Sequence, residues 1–78
     1  MEQKQQVQKI FGEVLNEMRL AKNLTQAELA EKCEMDETYI SDLERGNYMP
    51  SLYTVLKLSM GLELSLAEFT AKLDSYIK

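Results

Sequence analysis

The chain has 78 residues, 45% hydrophobic and 28% charged, with nine basic against thirteen acidic side chains and a net charge of −4. That length allows one domain, 1–78, and a chain this short buries only about 60% of its unfolded surface, so a partner subunit is expected. Histidine is absent and Cys33 is the single cysteine, which excludes histidine acid–base catalysis, His/Cys zinc sites and an internal disulfide. No apolar run approaches the ~18 residues of a membrane helix, and Met1 to Gln6 carry no signal-like hydrophobic stretch, so a cytoplasmic chain without membrane contact is expected.

The pattern is helical from end to end. Val7, Ile10, Phe11, Val14, Leu15 and Met18 recur at three- and four-residue steps, predicting a first helix that ends near Lys22. Asn23 follows, a residue that tolerates the left-handed conformation at a helix end. Thr25 with Glu28 three residues on has capping-box spacing and opens a second helix, Gln26 to about Cys33. Glu34-Met35 forms a tight turn and Asp36 caps a third helix, Glu37 to Arg45, stopped by Gly46. Pro50 forbids helix immediately before it, and Ser51 caps a fourth helix, Leu52 to about Met60, which Gly61 ends. Ser65 with Glu68 caps a fifth, residues 65–78, carrying Leu66, Phe69, Leu73, Tyr76 and Ile77. The expected fold is an all-α, compact five-helix bundle.

Two short helices joined by a tight turn, residues 25–46, form a helix-turn-helix pattern. On a helical wheel Tyr39, Ile40 and Leu43 share the core side of the third helix. The opposite side presents Thr38, Ser41 and Arg45, with Glu37 and Asp42 at its edges. Short hydrogen-bonding side chains with a guanidinium suit base edges in a major groove, although an ordinary solvated face would also be polar. The stretch Leu24-Thr25-Gln26-Ala27-Glu28-Leu29-Ala30, then Ile40-Ser41, Leu43-Glu44-Arg45-Gly46 and Pro50-Ser51-Leu52, resembles the Xre/Cro-type helix-turn-helix of phage repressors. That likeness runs from about Phe11 to Phe69, the expected domain core. Asp36 to Ser41 also resembles the recognition helix of restriction–modification controller proteins.

The resemblance implies a DNA-binding fold of the phage-repressor type and assigns roles. Glu37, Thr38, Ser41, Asp42 and Arg45 become the candidate base readers, and Lys22, Thr25, Gln26, Tyr39 and Asn47 the candidates for backbone contact. In the family the glutamine matching Gln26 contacts a phosphate and braces the start of the recognition helix. Arg19 and Glu44 are implied to form an internal salt bridge. Cys33 and most tyrosines read as core residues. No cofactor or metal is implied, and nothing supplies a nucleophile–base pair, so an enzyme is not expected.

Charge argues against easy DNA binding. Residues 25–46 hold Lys32 and Arg45 against Glu28, Glu31, Glu34, Asp36, Glu37, Asp42 and Glu44, whereas affinity for DNA comes largely from neutralising phosphates. Two functions therefore stand: a homodimeric transcriptional regulator on a palindromic operator in double-stranded DNA, which could touch RNA polymerase, or an antitoxin- or bridging-factor-like adaptor whose acidic face binds protein. The stripe Leu66, Phe69, Leu73, Tyr76 and Ile77 outlasts the domain core and is the expected dimer interface, with folding back onto the first helix as the alternative.

Overall fold

The computed structural model describes residues 2–77, so Lys78, the last residue of the expected fifth helix, lies outside the described part. Five helices follow in order: α1 (Glu2–Ala21), α2 (Gln26–Cys33), α3 (Glu37–Glu44), α4 (Leu52–Gly61) and α5 (Leu66–Ile77). Among the described residues there is no strand. The α1 stripe supplies Phe11, Val14, Leu15 and Met18 to a core completed by Leu29, Ala30 and Cys33 of α2, Ile40 and Leu43 of α3, Leu58 and Leu62, and Phe69 of α5. The rings of Phe11 and Phe69 stack with centroids 5.8 Å apart, which closes α5 against α1.

The helices begin as their caps dictate. Thr25 accepts from the Glu28 amide at 3.0 Å while Glu28 accepts from the Thr25 amide at 2.8 Å. Ser65 and Glu68 repeat this reciprocal pair at the start of α5, and Ser51 accepts from the Thr54 amide. Each satisfies an amide that the first helical turn leaves without a partner.

Four helices also end alike. After α1 the Leu24 amide reaches back to the Arg19 carbonyl and the Asn23 amide to Leu20. Met35 and Glu34 do the same after α2, Asn47 and Gly46 after α3, and Leu64 and Glu63 after α4. This paired closure needs one left-handed residue. Asn23 (φ 59°), Glu34 (55°), Gly46 (78°) and Glu63 (59°) fill that position. Leu24, Met35 and Leu64 then turn inward against the core.

Two expected boundaries are corrected. Arg45 is not helical but caps α3, with helical-region backbone angles and its amide on Ser41. Gly61 is not the left-handed residue beyond α4 but the last residue of the helix itself: Leu62 caps it, and the left-handed turn falls on Glu63. Gly61 is required for space, since a Cβ there would lie 2.3 Å from the Cys33 sulfur.

Candidate nucleic-acid interface

The helix α3 is anchored on one side and open on the other. Ile40 and Leu43 are fully buried, and half-buried Tyr39 tilts against Tyr48 with centroids 6.0 Å apart. Asp36 accepts from the Thr38 amide and fixes the first turn. Glu37 and Thr38 stand fully outward, Ser41 and Asp42 are half-buried, and Arg45 is exposed. The Arg45 guanidinium donates to the Ser41 hydroxyl through Nη1 and to Asp42 Oδ1 through Nη2, each at 2.5 Å. Its fork is thereby laid along the outer face, with three of its five N–H groups left over.

The far end of α3 is gripped by polar groups. Glu44 receives Arg19 Nε on Oε2 at 2.6 Å, and Arg19 Nη2, Asn16 Nδ2 and Gln26 Nε2 on Oε1, each at 3.0 Å. The implied Arg19–Glu44 pair is present, with side chains only 10% and 5% exposed. Arg19 also donates to the Leu24 carbonyl at 2.7 Å, so every buried side-chain nitrogen and oxygen among the described residues has a partner. Burial alone would raise the Glu44 pKa, but the bonds from Arg19, Asn16 and Gln26 prevail and hold the carboxyl below its ordinary value. The bond to Glu44 raises the Arg19 pKa in turn, against the opposing effect of burial. Gln26 thus braces the end of α3, not its start, and its amide nitrogen is already engaged.

Sequence reasoning missed the groove on α1 that receives this end. Gln8 donates to the Gly46 carbonyl at 3.2 Å, and Gly12 lets the α3 carbonyls approach so closely that a Cβ would sit 2.5 Å from the Leu43 oxygen. Asn16 and Arg19 follow on the same side. The signal was available as four small or polar residues at helical steps, 8-12-16-19, beside the apolar stripe.

The same contacts redistribute the acidic charge of residues 25–46. Glu44 is buried with Arg19, Asp42 is paired with Arg45, and Glu28 and Asp36 are occupied in caps. The backbone candidates lie at the rim: Lys22 and Asn47 are exposed in the turns after α1 and α3, while Thr25 is exposed but committed to its cap.

The expected interface on α5 needs correction at Phe69. Phe69 is fully buried within its own chain and so presents no face to a partner, while Leu73 is half-buried against the core. The helix folds back onto α1: the Tyr76 hydroxyl donates to Glu17 Oε1 at 2.5 Å and Lys72 approaches the same oxygen at 3.4 Å. Leu66, Tyr76 and Ile77 remain 38–50% exposed. A larger apolar surface lies on α4, where Leu52, Tyr53 and Met60 are 69–76% exposed and Leu56 lies between them. Its sequence, LYTVLKLSMG, is apolar on nearly every side, a composition that asks for cover on more than one face.

Residues 15–69 match the helix-turn-helix family profile. The chain is 43% identical over 54 residues to the control protein C.BamHI of Bacillus amyloliquefaciens, covering 68% of this chain and 67% of that one. It is 36% identical over 58 residues to the ImmF control region 10 kDa protein of Bacillus phage phi105, covering 74% and 64%. The chain therefore spans about two thirds of the length of these relatives. The restriction–modification controller protein C.Esp1396I, solved as a tetramer in complex with its natural 35-base-pair operator, superposes with a TM-score of 0.84 at 32% identity, covering 88% and 91% of the two chains. The chain therefore belongs to the helix-turn-helix family, in its Xre/Cro-type branch, and is a DNA-binding transcription regulator.

Proposed function

We propose that the chain acts as a homodimer on a palindromic operator, with α3 of each subunit in a major groove about 34 Å from its mate. The observation that carries this reading is the two-sided character of α3: one side is fixed by Ile40, Leu43 and the Glu44 contacts, and the other presents Glu37, Thr38, Ser41 and the outlying Arg45. Lys22, Tyr39 and Asn47 border that face and supply phosphate contacts, and Gln26 adds the one amide N–H that Glu44 leaves over. The dimer seam is the α4 face of Leu52, Tyr53, Leu56 and Met60, supplemented by the exposed end of α5. A two-fold axis would cover that patch with its own copy, and the tetramer formed by C.Esp1396I supports self-association. Such a regulator works where the DNA is, in the cytoplasm, by occluding a promoter or by contact with RNA polymerase.

The acidic balance of residues 25–46 favours the adaptor as the second reading. Binding of the purified chain to a random-sequence duplex across a salt series separates the two. The regulator is retained at low salt and released steeply as salt rises; an adaptor shows no retention at any salt. Selection from a random duplex library then returns an inverted repeat for a two-fold dimer.

A further inference from the structure

We propose that Glu37 is a base-reading residue that selects cytosine, one per half-site; this deepens the operator reading above and rests on it. The assignment begins by removing the other carboxylates. Asp36 is turned onto the Thr38 amide, Asp42 is held by Arg45, and Glu44 is buried under Arg19, Asn16 and Gln26. Glu37 is the one acidic side chain of α3 that is exposed and without a side-chain partner among the described residues. As the first residue of α3 it occupies the end of a recognition helix that reaches base edges. It shares a stripe with Ser41 and Arg45 at four-residue steps, so it lies about 12 Å along the axis from Arg45, roughly three to four base pairs.

A carboxylate facing DNA repels phosphate wherever it finds no donor. In the major groove only two groups donate, the N4 amino of cytosine and the N6 amino of adenine. Adenine sets its N7 acceptor beside N6, against the second carboxylate oxygen, whereas cytosine has only a ring C–H beside N4. The Glu37 side chain, with acceptors only, therefore discriminates for cytosine over adenine as well as against thymine and guanine, which offer acceptors. Thr38 and Ser41, with a donor and acceptors each, have no such bias.

The test is selection of bound duplexes from a random library by the full chain and by Glu37→Gln and Glu37→Ala, with a thermal melt of each to show that the fold persists. The native chain should enrich cytosine at one column of both half-sites. Glu37→Gln should move that column to adenine, which a glutamine amide pairs at N6 and N7. Glu37→Ala should flatten it, with an expected loss of about ten-fold in discrimination and other columns unchanged. If both variants keep the native column, or simply tighten on every sequence alike, Glu37 reads nothing and only repels or stabilises the helix start. Failure of the native chain to enrich any sequence would overturn the regulator reading itself, and this inference with it.

Discussion

Arg19 and Glu44 meet as a bidentate pair, Nε to Oε2 at 2.6 Å and Nη2 to Oε1 at 3.0 Å, and thereby clip α1 to the last turn of α3. Removing the carboxylate strands a buried guanidinium, and breaking such a pair costs about 3–5 kcal/mol, a large share of the roughly 5–15 kcal/mol of a small domain. Glu44→Ala should lower the melting temperature by more than about 10 °C or leave the chain unfolded at ambient temperature. An unchanged melting temperature by circular dichroism would show that the pair holds nothing.

The same site sets a pH dependence. Because Glu44 is held below its ordinary value in the folded chain, the unfolded chain takes up that proton first as pH falls. The stabilisation is complete above the unfolded value of about 4.3 and is lost as pH falls from there through the folded value. Exposed Glu17, lowered by the bond from Tyr76, and Glu68, lowered by bonds from Ser65, act in the same direction. Urea melts between pH 7 and pH 3 should decline in stability below about pH 4.3, and Glu44→Gln should make that decline shallower without abolishing it.

Gly61 and Cys33 should behave as one packing unit. Gly61→Ala places a methyl 2.3 Å from the Cys33 sulfur and should cost about 1–3 kcal/mol by overpacking. Adding Cys33→Ala removes the opposing atom, so the double variant should be more stable than the sum of the two single losses. A double-mutant cycle with no coupling would contradict the contact.

On the α4 face, Leu56→Asp with Met60→Asp should give a folded monomer with weakened operator binding, read by light scattering and gel shift. Leu73→Asp should instead destabilise the subunit, since Leu73 packs on its own core. Persisting dimers in the α4 variant would move the seam elsewhere, with exposed Ile77 as the next position to change.

Glu34 keeps a left-handed conformation at φ 55° that glycine adopts more readily. Glu34→Gly should therefore stabilise the chain by about 0.5–1 kcal/mol, measurable by denaturant melts. It should also strengthen duplex binding at low salt by removing a carboxylate from residues 25–46.

Much of this fold is legible in the sequence because its local signals agree. The caps at Thr25, Asp36, Ser51 and Ser65, the left-handed Asn23 and the α1 stripe all point to helices placed as observed. Gly61 misled because a glycine near a helix end suggests a stop, whereas here the missing side chain makes room for a sulfur from α2. The stripe on α5 misled for a related reason: periodicity marks a buried face without saying what buries it, and Phe69 is buried by Phe11 of the same chain. Gln8, Gly12 and Asn16 escaped notice because their role depends on where α3 ends in space. In the candidate site, the outward side of α3 was readable from the wheel, and the capture of Asp42 by Arg45 follows from i,i+3 spacing, but the capture of Gln26 by Glu44 is tertiary information.

The convergence of Asn16, Arg19 and Gln26 on one oxygen has a further consequence. Two helices, α1 and α2, share a single acceptor on α3, so all three are tied at one point. Loosening at that oxygen would therefore disturb the outward face of α3 and the packing of α1 and α2 together.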